Sequence, residues 1–324
     1  MRSLMDGLRF ATGTLSVFPV RVERVDRRVA GQAMTLAPAV GLVLGAVAGL
    51  PLLLPAPPLL AAALALGLLA LLTRGLHLDG LADLADGLGS GKPADQALAI
   101  MKKSDIGPFG VMALVFTLLV QVAALSATGL AALVTACVAG RLALTWACRP
   151  SVPAARPEGL GAAVAGSVRP AAPWLATLAA LLALAGLGLS ADLGMWDGGP
   201  RAWASAAATW VTGSDPRDPG LAYNGTWGGV DAYLDQPGEE EGYGLGTYNG
   251  DLPGDATAGL VRVGCGLGLG AALALPAALL AGLLAALALL RRARRRLGGI
   301  TGDVLGALVE TATAAALVAC AVLG

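Results

Sequence analysis

The chain has 324 residues, of which 56% are hydrophobic, 14% charged and 4% aromatic, and its 22 basic and 22 acidic residues leave no formal net charge. So little charge cannot clothe a water-soluble domain of this length, and without a basic excess there is no electrostatic footprint for nucleic acid. Apolar runs of about 17–25 residues instead predict an all-α, polytopic integral membrane protein.

Residues 1–30 are too charged for a signal-peptide core, so this segment is expected to stay in the mature chain. Seven spans are expected, at about 33–54, 57–73, 109–126, 129–148, 172–190, 262–290 and 303–323, the sixth long enough to tilt or to kink at Pro276. With the N-terminus inside, 18 of the 22 basic residues fall on one side, Arg201, Arg217 and Arg262 on the other, and Arg141 within a span. This is the positive-inside pattern, and it places the N-terminus and the motifs below at the cytoplasmic face of a bacterial cell membrane.

Immediately after the second apolar run, Asp79, Asp83 and Asp86 are spaced i, i+4, i+7, hence on one face of a helix. Like charges so placed repel, and a divalent cation relieves the conflict. Hard oxygen ligands suit Mg²⁺, which takes few carboxylates and fills its shell with water and phosphate. The competing reading is an acidic surface stripe. His77, the only histidine, borders the cluster as a metal ligand, proton carrier or phosphate contact, or else as a residue at a helix end.

Pro93 and Asp95 suit the start of a short helix, with Lys102 and Lys103 at its end. Beside an acidic metal site a lysine pair can clamp a diphosphate, although positive-inside anchoring alone accounts for both. Ser104-Asp105, Gly107 and Gly110 follow, the glycines allowing close approach of backbone to a ligand. Arg149, Arg156 and Gly159-Leu160-Gly161 lie on the same side, placed to contact nucleotide.

Residues 191–259 depart from the rest. They hold all four Tyr, four of the six Trp and 11 of the 22 acids against two Arg, and clusters of Gly, Pro, Asp and Asn read as loop. They are expected to form an atypical acidic, aromatic-bearing external loop between spans five and six, within a single membrane domain covering 1–324. Cys137, Cys148, Cys265 and Cys320 lie in or beside spans without zinc-site spacing, so they read as buried thiols.

Before the last span, Thr301 or Asp303 can cap the helix. Glu310 lies seven residues beyond Asp303, about 10 Å into the span at 1.5 Å per residue. Arg141 lies at the same depth, which makes an intramembrane Arg141–Glu310 pair the expected way to hold both charges.

Three of these blocks carry a resemblance: His77-Leu-Asp-Gly-Leu-Ala-Asp83 with Asp86-Gly87; Ile100-Met-Lys-Lys-Ser-Asp-Ile-Gly-Pro-Phe-Gly110; and Gly298-Gly-Ile-Thr-Gly-Asp303 with Glu310. In order and spacing they resemble the cobalamin-5′-phosphate synthase family of adenosylcobinamide-GDP ribazoletransferases, over roughly residues 1–186 and 291–324. The resemblance implies transfer onto α-ribazole or its 5′-phosphate with release of GMP. It implies Mg²⁺ on Asp79, Asp83 and Asp86, phosphate contacts from His77, Lys102, Lys103, Ser104 and Thr301, and a general base at Asp105 or Asp303. Substrates and membrane lipid are the implied partners; the oligomeric state is left open. Two alternatives fit less well. A CDP-alcohol phosphotransferase would share Asp83-x2-Asp86-Gly87 but needs Ala-Arg where Ser90-Gly91 stands, and a cation-coupled transporter would hold its acids nearer the bilayer midplane.

Overall fold

A computed structural model describes residues 2–22, 26–192 and 270–324, with the side chains of Arg2 and Ser3 left out. The described residues form α1 (Arg2–Leu15), α2 (Arg27–Ala48), α3 (Pro58–Leu72), α4 (Leu76–Gly89), α5 (Ala94–Ile100), α6 (Pro108–Ser126), α7 (Leu130–Ala147), α8 (Leu160–Val164), α9 (Ala172–Asp192), α10 (Ala271–Leu297) and α11 (Gly302–Leu323), with no strand among them. Six of these, α2, α6, α7, α9, α10 and α11, are long and apolar enough to cross a membrane. The protein is therefore a multi-pass, all-α membrane protein. The acidic, aromatic stretch expected as a loop falls, apart from Ala191 and Asp192, outside the described residues.

The expected second span is only half of a bent pair. α3 has 15 residues, about 22 Å at 1.5 Å per residue, and α4 leaves it at 89°. The break lies at Arg74 and Gly75, both with positive φ (55° and 66°), a conformation that ends a helix. At the end of α3 the Leu72 carbonyl accepts from Val17 N–H at 2.8 Å, so the chain has come back to the end of the bundle where α1 lies. α4 alone is not among the six helices that could cross a membrane, whereas α3 and α4 together are long and apolar enough, which gives up to seven spans.

Other boundaries shift for local reasons. α2 begins at Arg27 because the Asp26 carboxylate accepts from Val29 N–H at 2.8 Å, a side-chain cap. It stops at Ala48, ahead of Gly49 and Pro51, instead of near 54. α10 continues through the arginine cluster to Leu297, since cations in a last turn oppose the helix dipole, and Gly298 closes it in the left-handed region at φ 84°.

α7 is the axis of the bundle: every residue from Ala132 to Ala147 is buried, against α2, α9, α10 and α11. In lipid no hydrophobic force joins helices, so close backbone approach through small residues does that work. Gly140 meets Val309 and Thr313 of α11, and Gly282 of α10 meets the Ala312 carbonyl. Cys137, Cys148 and Cys320 are buried free thiols, and Cys265 falls outside the described residues.

The expected Arg141–Glu310 ion pair does not form. α7 and α11 are neighbours, as the pairing required, and both side chains are buried. Glu310 is instead taken by Gln121 of α6, whose Nε2 donates to Oε2 at 2.9 Å. Arg141 Nε and Nη2 have no hydrogen-bond partner among the described residues. Equal depth in two helices does not fix the direction each side chain takes around its axis.

Candidate active site

The site is built where α4 crosses the start of α11. The crossing is close because Gly80 and Gly306 face the opposite backbone: a Cβ on Gly80 would lie 2.7 Å from the Asp303 carbonyl oxygen, and one on Gly306 3.1 Å from that of Leu76. Asp79 and Asp303, 224 positions apart in sequence, thereby line one cavity. Thr301 caps α11 through its hydroxyl, which accepts from Val304 N–H at 3.2 Å and lies 3.2 Å from Asp303 Oδ2 as a donor.

The loop after α7 supplies the countercharge. Ile300 N–H donates to the Pro153 carbonyl and Ala155 N–H to the Ile300 carbonyl, both at 2.9 Å, forming a short parallel bridge. This clasp brings Arg156 to Asp303, with Nη1 3.7 Å from Oδ2, while its Nη2 donates to the Leu98 carbonyl near the end of α5. Both side chains of the ion pair are partly solvated, so its worth is positional more than energetic.

The cavity, about 290 Å³, has Leu15, Met34, Leu144 and Leu305 as apolar wall and Asp79, Arg156, Glu158, Thr301 and Asp303 as polar wall. A second hollow of about 490 Å³ opens beside it between α5 and the same loop; it shares Arg156, Glu158 and Gly159 and adds Asp95 and Lys102. Together they form an inner apolar-backed chamber and an outer polar one, joined at Arg156.

Asp83, one turn after Asp79, is half-buried. Burial, then the charges of Asp79, Asp303 and Asp86, push its carboxyl up to about 6 against the opposing pull of Arg156. This surplus of carboxylate fits a hard cation. Among the described residues no three Asp, Glu, His or Cys side chains converge to enclose an ion alone. Mg²⁺ does not require that, since one or two carboxylates with water and substrate phosphate complete its shell.

Asp86 is turned elsewhere. Its Oδ2 accepts from Gly107 N–H at 2.7 Å and its Oδ1 from Gly110 N–H at 2.9 Å, so it caps α6 across the chain. The one-face triad therefore divides: Asp79 lines the chamber, Asp83 lines neither hollow but feels the charges of Asp79 and Asp303, and Asp86 holds α6 in place. His77 borders the cavity but is buried; its Nε2 has no partner, and burial together with the Arg141 charge lowers its pKa well below the usual value, leaving the ring neutral. Lys102 faces the outer hollow, whereas Lys103, Ser104 and Asp105 are exposed and line neither hollow. Arg149 is occupied with the Trp146 ring, 5.4 Å from its centroid, and with Ser151. The sequence placed Arg156 on the correct side by location alone; its pairing with Asp303 and the glycine crossing became visible only in three dimensions.

The sequence profile of a family described as Cobalamin-5-phosphate synthase matches residues 7–214 and 233–321. The chain belongs to the cobalamin-5-phosphate synthase family. Relatives in this family include a protein of Frankia casuarinae, 47% identical over 224 residues (63% of this chain and 79% of the relative). Another, from a Nocardioides species, is 43% identical over 173 residues (51% and 75%), and one from Rhizobium etli is 38% identical over 193 residues (56% and 73%). All three carry the name adenosylcobinamide-GDP ribazoletransferase. No solved structure matches the chain. Every residue assigned above to the site of this cobalamin-5-phosphate synthase family member lies inside the matched segments.

Proposed function

We propose that the protein is an adenosylcobinamide-GDP ribazoletransferase, a late enzyme of cobalamin biosynthesis joining adenosylcobinamide-GDP to α-ribazole or its 5′-phosphate. The observation that carries this reading in the structure is the convergence of Asp79 from α4 and Asp303 from α11 on one chamber, with Arg156 paired to Asp303.

In this reaction a ribose hydroxyl of the acceptor, other than the 5′ position that carries the phosphate in α-ribazole 5′-phosphate, attacks the corrinoid-side phosphorus of the diphosphate. The new P–O bond replaces the P–O bond to GMP, which leaves, and the attacking hydroxyl gives up its proton. Catalysis of such a step is mostly alignment and neutralisation of charge. Arg156 and Lys102 face the joined hollows, positioned for the diphosphate oxygens. Asp303, oriented by Thr301 and Arg156, is the best-placed acceptor for the proton. Asp79 and Asp83 would hold Mg²⁺, which when bound supplies charge neutralisation at the phosphates. The apolar wall of the inner chamber suits the flat base of α-ribazole; a corrin is far too large for about 290 Å³ and would remain outside.

The positive charges at this end of the bundle support a site on the cytoplasmic side of a bacterial membrane. The test is GMP release by protein reconstituted in bilayers, from adenosylcobinamide-GDP with and without α-ribazole. Release that depends on α-ribazole and is lost in Asp79→Asn and Asp303→Asn is the expected result; release by both variants at the wild-type rate would exclude this site.

A further inference from the structure

A larger hollow, about 670 Å³, opens at the same end of the bundle, between α1, the first turns of α2, and the start of α9. It shares no lining residue with the catalytic chamber. Its charged lining is all of one sign, Arg27, Arg28 and Arg169, and its apolar lining includes Leu4, Leu36 and Leu175. Arg27 is already committed, its Nη2 donating to the Ala165 and Gly166 carbonyls at 3.3 Å. Arg28 and Arg169 are exposed and make no contact of this kind among the described residues. Among the described residues nearby, Asp26 is engaged as the cap of α2 and Asp6 lies 4.0 Å from Arg9.

The position of this hollow decides what it takes. α2 and α9 are spans, and α9 turns an unbroken apolar side outward, with Trp174, Leu175 and Leu182 at 68%, 65% and 65% exposure. Trp174 stands in the first turn, where aromatic rings favour the headgroup level of a bilayer. α1 adds Leu4, Met5 and Leu8, all exposed, the pattern of a helix lying in the interface. The hollow therefore opens towards lipid, with guanidinium groups at headgroup depth and leucines running from them along the spans.

We propose that this groove binds an anionic phospholipid of the surrounding membrane, its phosphate held by Arg28 and Arg169 and its acyl chains against Leu4, Leu36 and Leu175. Basic pockets between helix ends on the side of anionic lipid are suited to this chemistry. A soluble phosphate compound would satisfy the arginines and leave the leucines uncovered. Arg27 and Ser167 tie the groove to the segment that follows α8, and Gly159 and Leu160, at the start of α8, line the chamber.

The test uses the full chain in lipid nanodiscs or detergent, with native mass spectrometry counting retained lipids. The wild type is expected to retain phosphatidylglycerol in preference to phosphatidylcholine, and Arg28→Gln/Arg169→Gln to weaken phosphatidylglycerol binding roughly tenfold or more. Arg291→Gln/Arg292→Gln, in the separate cluster on α10, should bind as the wild type does. Millimolar inorganic phosphate or GDP should not displace the lipid. Equal retention by the Arg28/Arg169 variant, or equal loss in both double variants, would overturn the proposal; displacement by phosphate or GDP would make the groove a soluble-phosphate site instead. Because the readout is binding, it stands apart from the outcome of the GMP assay.

Discussion

Asp79 and Asp86 lie on one face of one helix, yet the structure gives them different work. Asp79 opens on the chamber, whereas Asp86 accepts two backbone amides at the start of α6. Asp79→Asn should therefore lower turnover by at least about a hundredfold while leaving the thermal unfolding midpoint nearly unchanged. Asp86→Asn puts an NH2 group against one of those amides and should cost about 1–3 kcal/mol, a leftover buried donor being the expensive outcome. Parallel unfolding and turnover measurements on the two variants separate the roles; a stable, inactive Asp86→Asn would return Asp86 to the site. Glu310 gives a second contrast. Glu310→Gln keeps an acceptor for Gln121 Nε2 and should unfold close to the wild type, whereas Gln121→Leu strands the carboxylate and should lower stability clearly.

At the scale of helices, the active-site geometry rests on one crossing. Replacing Gly80 by Val would drive a side chain into the Asp303 backbone and separate α4 from α11, so turnover should fall more than tenfold although every carboxylate is still present. Gly67→Ala on α3, where a Cβ meets nothing within 4 Å, should leave turnover unchanged and is the control. Most helices were legible beforehand because the lipid imposes long apolar runs and satisfied backbones, and the cap at Thr301 and the helix start after Pro93 were readable from local chemistry. Side-chain targets were not. Asp86 found its partners at Gly107 and Gly110 and Glu310 its partner at Gln121, choices made by the rotation of helices remote in sequence. The 89° break after α3 likewise depends on Arg74 taking a positive φ, which no apolar pattern announces.

Over the whole molecule, the end of α9 and the start of α10 are fastened directly. The Asp192 carboxylate accepts from Ala271 N–H at 2.8 Å and Ala272 N–H at 2.9 Å, so the end of α9 and the start of α10 lie side by side. Removing about residues 195–255 and bridging the gap with a short linker should leave turnover largely intact, since closure cost grows slowly with loop length. Loss of turnover in a correctly inserted deletion variant would give that segment a part in catalysis.

The α4–α11 crossing also orders events in time. Asp79 leaves the ribosome more than 200 residues ahead of Asp303 and the clasp partner Ile300. A chain that has not yet reached α11 cannot contain the chamber, so the growing polypeptide is inert towards nucleotide diphosphates until α11 is in the membrane. Until then Gly80 and the face around it have no cover, and a chain halted before α11 displays that bare surface at the membrane boundary. The crossing that assembles the site thus doubles as a mark that α11 has been made, by which quality control can tell a chain that carries it from one arrested before it.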